Sequence, residues 1–178
     1  MELIEFLRQT QSEVRAEIAE RVGATVGSGG EQGAPYPYPE SVFAELVMQH
    51  MAEIGMTFEP QICHYSAKIG NAILKLSGFS ISEDADQLDL FVCLYANTDE
   101  LAPIADAETK TAAEQCFRFL AKCVNERLAD KMDPSNDAYA LATTIQGSYN
   151  NLDQIRIYVL TDRQAKAKNF NPREIVRT

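Results

Sequence analysis

The chain has 178 residues, of which 46% are hydrophobic and 24% are charged, and these values exclude a disordered or collagen-like protein. Its 16 basic and 26 acidic residues give a net charge of -10, which argues against nonspecific binding of nucleic acid over the whole surface. No run of about 18 apolar residues is present, so we expect no membrane-spanning helix and no membrane partner. Four cysteines without a framework spacing predict a reducing, cytoplasmic location.

Two helices separated by a loop are predicted at the start of the chain. Apolar residues at helical spacing predict an amphipathic helix over residues 1–22. Residues 23–38 are rich in glycine and proline, which predicts a loop. The second helix is predicted from Pro39, which suits a first helical turn, to Ile54, directly before Gly55.

Three strands are predicted next, over residues 61–65, 72–81 and 88–95. The third reads LDLFVCLY and is apolar on both faces after Asp89, which is typical of a central strand covered on each side. The polar segment SEDADQ predicts a hairpin-like turn between the second and third strands.

Two more helices and a strand complete the predicted pattern. The helices are expected over residues 107–128 and from an N-cap at Ser135 or Asn136 to about residue 146, and the strand over residues 154–160. This order predicts an α/β fold, with a mixed central sheet flanked by helices, in a domain spanning residues 39–178. Because the chain ends in an apolar run at Ile175 and Val176, we expect it to be the N-terminal part of a longer protein.

The acidic residues offer the one constellation that suggests catalysis. Metal-dependent nucleases hold Mg²⁺ with carboxylate oxygens from adjacent strands. The strand pair at residues 72–81 and 88–95, preceded by a helix that carries Glu45, has that architecture. Glu45 and Asp89 are therefore candidate catalytic residues. The alternatives are that Glu45 is a solvated helix residue and that Asp89 is a carboxylate at the end of a turn.

Other chemistries find little support in the sequence. No second cysteine or histidine pair accompanies Cys63 and His64 at zinc-ligand spacing, so no metal site is predicted. Six basic and two acidic residues follow from Arg156 onward, and this basic tail is either a solvated surface or a binding site for nucleic acid. The candidate nucleic-acid-binding residues are Arg156, Arg163, Lys166, Lys168 and Arg173.

Several segments, in order, resemble the N-terminal domain of the abortive-infection phage-resistance (AIPR) family over residues 41–162. They are SVFAELVMQHMAEIG, KLSGFSI, QLDLFVCLY, ADAETKTAAEQCFRFL, DPSNDAYALATTI and IRIYVLTD. The resemblance implies a bacterial, cytoplasmic defence protein whose N-terminal domain has a restriction-endonuclease-like layout. It also implies that two expected metal-ligand positions are changed. Ser77 stands where many members have aspartate before a Gly-aromatic pair, and Leu94 stands at the aspartate of an Asp-aromatic pair.

These departures favour a non-catalytic recognition or assembly domain with no cofactor, whose partner is the C-terminal part of its own protein. One alternative is an active Mg²⁺-dependent nuclease acting on DNA or RNA, with Glu45, Ser77 and Asp89 as the candidate residues. Another is a homo-oligomerisation module, because the apolar face of the helix at residues 1–22 must be buried on its own domain or on a partner. Whether the domain is an enzyme stays open at this point.

Overall fold

The computed structural model describes residues 2–27, 38–166 and 169–175. The helices are α1 (Leu3–Gly27), α2 (Pro39–Glu53), α3 (Asp106–Asn125) and α4 (Tyr139–Ser148). The strands are β1 (Pro60–Ile69), β2 (Ala72–Ile81), β3 (Gln87–Leu94), β4 (Pro103–Ile104), β5 (Gln154–Thr161) and β6 (Gln164–Ala165). Short 3₁₀ turns at Leu128–Lys131 and Tyr149–Asn151 lie on either side of α4.

Four strands form one mixed sheet in the order β1-β2-β3-β5. Strand β2 is antiparallel to both β1 and β3, and β5 runs parallel to β3 after the connection through α3 and α4. The strands β4 and β6 form a separate two-stranded parallel sheet. The predicted α/β fold with a mixed central sheet is therefore confirmed, although the sequence analysis did not identify β4 and β6.

Strand β3 lies between two hydrophobic cores, one on each face of the sheet. Leu88, Leu90 and Val92 belong to the core formed with α3 and α4. Phe91 and Cys93 belong to the core formed with α1 and α2. All residues from 88 to 93 are buried, because helices cover both faces of this strand. This arrangement confirms the prediction of a central strand.

Helix α2 approaches the sheet closely at Gly78 of β2. A Cβ atom at this position would lie 2.8 Å from the carbonyl oxygen of Gln61 and 2.8 Å from Sδ and Cε of Met48. Met48 is itself buried. The absence of a side chain at Gly78 therefore allows Met48 to reach the strand.

Two elements extend beyond their predicted ends. Helix α1 continues to Gly27, past the predicted end at residue 22, and residues 28–37 of the predicted loop lie outside the described residues. Strand β1 continues to Ile69 rather than ending at residue 65. Gly70 adopts a φ of 60° and closes a tight turn, so that Ile69 pairs with Ala72.

The predicted N-cap of α4 at Ser135 or Asn136 is wrong. The backbone N–H of Ser135 donates to Oδ1 of Asp133 at 2.9 Å, and that of Ala138 donates to Oδ1 of Asn136 at 2.9 Å. These side chains form turns before the helix, which begins at Tyr139.

Candidate functional site

A polar row crosses three strands on the face of the sheet covered by α1 and α2. Ser80 of β2, Asp89 of β3 and Arg156 of β5 are register partners. Because side chains alternate along a strand, Asp89 shares the face of Phe91 rather than that of Leu88. The side chain of Asp89 is 0% exposed, so the row brings a carboxylate into the interior.

Both carboxylate oxygens of Asp89 accept hydrogen bonds. Arg156 donates from Nε to Oδ1 at 2.7 Å and from Nη2 to Oδ2 at 2.8 Å. Thr57 donates from Oγ1 to Oδ2 at 2.5 Å, and its Oγ1 lies 2.7 Å from Oγ of Ser80. This two-pronged arginine contact is a strong form of ion pair, and the hydrogen bond with Asp89 raises the pKa of Arg156.

The guanidinium of Arg156 also fixes the segment that follows α2. Its Nη2 donates to the carbonyl oxygen of Met56 at 3.2 Å. Its Cζ atom lies 5.9 Å from the ring centre of Phe58 and 5.6 Å from that of Tyr158, within the range of cation–π attraction. Together with the hydroxyls of Thr57 and Ser80, Asp89 and Arg156 therefore join three strands of the sheet to the turn at residues 56–58.

The other two candidate catalytic residues have separate partners. Glu45 of α2 pairs with Nη2 of Arg21 in α1 at 2.9 Å. Oγ of Ser77 accepts the backbone N–H of Cys93 at 3.0 Å and so joins β2 to β3. In the parts of the chain that the structure describes, no three or more His, Cys, Asp or Glu residues are grouped so that they could hold a metal ion. Leu94 packs against the core formed with α3 and α4.

A second buried polar cluster lies where the parallel strands β3 and β5 end. Asp162, 2% exposed, accepts the backbone N–H groups of Ala96 at 2.9 Å and Thr98 at 3.0 Å. Gln11 of α1 donates to Oδ2 of Asp162 at 3.1 Å and to the carbonyl oxygen of Thr98 at 2.7 Å. Tyr95 donates to Oε1 of Gln11 at 2.7 Å.

This end of the strands is where open α/β sheets commonly bind ligands. Here the side chain of Gln11 joins the segments that directly follow the two strands, through Thr98 and Asp162. The sequence analysis identified neither Gln11 nor Asp162. An aspartate that directly follows the second of two parallel strands was the available signal for Asp162, whereas a single glutamine on a long helix carries none.

The basic residues of the C-terminal segment are largely paired within the chain. Arg156, Arg163 and Arg173 form ion pairs with Asp89, Glu108 and Glu114, respectively. Arg173 also lies 4.7 Å from the ring centre of Phe117. Lys166 is exposed and Lys168 lies outside the described residues. Nucleic-acid binding by these five residues stays a prediction.

The four cysteines are buried and free. Burial raises the pKa of Cys63 to about 11 and that of Cys116 and Cys123 to about 12, and it raises the pKa of Cys93 as well. Because the thiolate is the reactive form, these thiols are poor nucleophiles near neutral pH.

A family model described as the abortive infection phage resistance protein N-terminal domain matches residues 43–177. The chain belongs to this family. The match confirms the resemblance seen in the sequence and identifies a domain of a phage-resistance protein. It includes Asp89, Arg156 and Asp162 of this AIPR N-terminal domain, whereas Gln11 in α1 lies before the matched region.

No curated protein and no solved structure matches the chain. Of the helices in the described residues, none combines the length and the apolar character needed to cross a membrane.

Proposed function

We propose that this AIPR N-terminal domain is a non-catalytic recognition and assembly domain of a phage-resistance protein. The observation that carries the proposal is the state of Asp89, which is fully buried and accepts hydrogen bonds from Arg156 and Thr57. A carboxylate that binds a catalytic Mg²⁺ must offer its oxygens to the ion and to water. Those of Asp89 are used to hold the sheet and the turn at residues 56–58.

The remaining candidates support the same proposal. Glu45 joins two helices, and Ser77 joins two strands. We retain a restriction-endonuclease-like layout as part of the proposal, since α2 precedes the antiparallel strands β2 and β3 as in the architecture predicted from the sequence. A bacterial, cytoplasmic location belongs to it too, and the four free cysteines support a reducing compartment. The proposed partner within the same protein is the part that follows this domain.

A cleavage assay with the purified chain tests the proposal. Plasmid DNA and RNA are incubated with Mg²⁺ or Mn²⁺, and we expect no cleavage above that of a chain carrying Asp89→Asn. The matched control is Asp84→Asn, which removes an exposed carboxylate from the neighbouring turn. Metal-dependent cleavage that is lost in Asp89→Asn and kept in Asp84→Asn would overturn the proposal, provided that circular dichroism shows both variants folded.

A further inference from the structure

Strand β5 forms one edge of the main sheet. Within the described residues it pairs with β3 alone. Residues 155–159 are half-buried, whereas residues 88–93 of the neighbouring β3 are buried. The difference follows from position, because a strand at the edge has a neighbour on one side only. An open edge presents unpaired backbone N–H and C=O groups that can pair with another strand.

The two edges of the sheet differ in how they are protected. The opposite edge strand, β1, begins at Pro60, carries Lys68 and has an irregular register between Ile62 and Tyr65. Proline, lysine and bulges are among the features with which sheet edges resist pairing with other chains. Strand β5 reads QIRIYVLT and has no proline, lysine or bulge, and its one inward-pointing charge, on Arg156, is paired with Asp89.

Strand β5 itself is mostly apolar and carries no unpaired charge. The one charged side chain of the strand, Arg156, is neutralised by Asp89. Phe58 and Tyr158 flank its guanidinium, and Met56, whose carbonyl accepts from it, is 46% exposed. A chain with a net charge of -10 repels its copies over most of its surface, but the one charge within β5, on Arg156, is paired with Asp89.

We propose that a second copy of this chain pairs with β5 in an antiparallel manner, with the two-fold axis at Ile157. This inference rests on the assembly role proposed above and adds a second copy of the chain as a further partner. The pairing would join two four-stranded sheets into one continuous sheet through a symmetric contact.

The side chains of β5 favour this register. It sets Arg156 opposite Tyr158 of the partner subunit, a pairing that repeats the contact between these two residues within the chain. On the other face it sets Ile155 opposite Val159 of the partner subunit, a β-branched pair suited to a sheet. A register centred on Tyr158 would instead set Arg156 opposite Leu160 of the partner subunit, so that the guanidinium would gain no aromatic contact across the interface.

Cysteine cross-linking tests the register directly. In an antiparallel pair the two copies of residue 157 have Cα atoms roughly 5 Å apart, so Ile157→Cys is expected to form an intersubunit disulfide under mild oxidant. Val159→Cys is the matched control, since two copies of residue 159 would be about 13 Å apart along the strands. A mixture of Ile155→Cys and Val159→Cys chains should cross-link although neither does so alone. The native cysteines are buried and do not compete.

The mass in solution provides an independent measurement. Sedimentation equilibrium of the unmodified chain should reveal a species with twice the 19.8 kDa mass of the chain. Met56→Glu adds a negative charge to the exposed segment that Arg156 of β5 contacts, and it should raise the dissociation constant about tenfold or more. Ile73→Glu is the matched control, because Ile73 is similarly exposed, at 41%, but lies on β2, and it should leave the dimer unchanged.

Each contrary outcome overturns the dimer proposal. These outcomes are a monomer at every concentration, a dimer that Met56→Glu does not weaken, and cross-linking of Val159→Cys that equals that of Ile157→Cys. None of these results bears on cleavage. The mass and cross-linking measurements test the dimer, and the cleavage assay separately tests the non-catalytic role.

Discussion

At the residue scale, the role of Asp89 is decided by its ion pair with Arg156. The sequence located this aspartate correctly at the start of a buried strand, and both a catalytic and a structural role were consistent with that position. Its partner Arg156 lies 67 positions away in a strand that pairs with β3 only after the chain has folded. A local pattern cannot supply such a pairing, and for that reason a binding surface is one interpretation of the basic tail from the sequence alone.

A buried carboxylate that loses its cation is costly, and this predicts the effect of Arg156→Met. Removing one partner of a buried ion pair costs about 3 kcal/mol, at the lower end of the usual range because 34% of the Arg156 side chain is exposed. Urea unfolding measures this loss of stability. The double variant Asp89→Asn with Arg156→Met should recover part of it, since the buried charge is gone. If the double variant is as unstable as the sum of the single variants, the ion pair is not the cause.

At the element scale, local signals predicted most of the secondary structure. Strand β2 occupies the predicted residues 72–81, and the SEDADQ segment forms the expected turn, with the Ser82 N–H donating to the Gln87 carbonyl at 3.0 Å. The misses also have local causes. The Gly70–Asn71 pair that closes the turn after β1 is a local signal in the sequence, whereas the start of α4 depends on competition between side-chain turns and helix.

The space around two glycines predicts opposite effects on stability when each is replaced by alanine. Gly78→Ala should destabilise the chain by about 1–3 kcal/mol, because the new Cβ would meet the backbone oxygen of Gln61. Gly147→Ala, in α4, meets nothing within 4 Å and should stabilise it by roughly 0.5 kcal/mol or more. Thermal unfolding compares the two. Equal stability of both variants would contradict the packing argument at Gly78.

At the scale of the whole molecule, the sequence did not show where α1 lies. Its apolar face could have packed on its own domain or on a partner, and the segment between α1 and α2 gave no means of choosing. The structure packs Val14 into the core with Phe43 and Phe91, and Gln11 ties the helix to the ends of β3 and β5. The position of α1 therefore depends on contacts between residues far apart in the sequence, both the buried polar contacts of Gln11 and the apolar packing of Val14.

The contacts of Gln11 predict how firmly α1 is held. Gln11→Ala removes the donor to Asp162 and Thr98 and the acceptor for Tyr95, which should cost about 2 kcal/mol. Hydrogen exchange should then become faster across α1 before it changes in β3. The matched control is Gln9→Ala, an exposed glutamine on the same helix that bonds only to Glu13 among the described residues. Similar exchange in both variants would contradict the role assigned to Gln11.

The parallel pairing of β3 with β5 has a consequence for folding during synthesis on the ribosome. Residues 87–94 are synthesised long before residues 154–161. Strand β3, which is central in the folded sheet, is therefore an edge strand until β5 has been made. During that interval the backbone N–H and C=O groups that later pair with β5 have no hydrogen-bond partner in the nascent sheet, and the apolar faces of β3 are incompletely covered. Late arrival of a distant strand slows folding and prolongs exposure to aggregation. We therefore expect chaperone dependence to be greatest for nascent chains in which β3 has emerged from the ribosome and β5 has not.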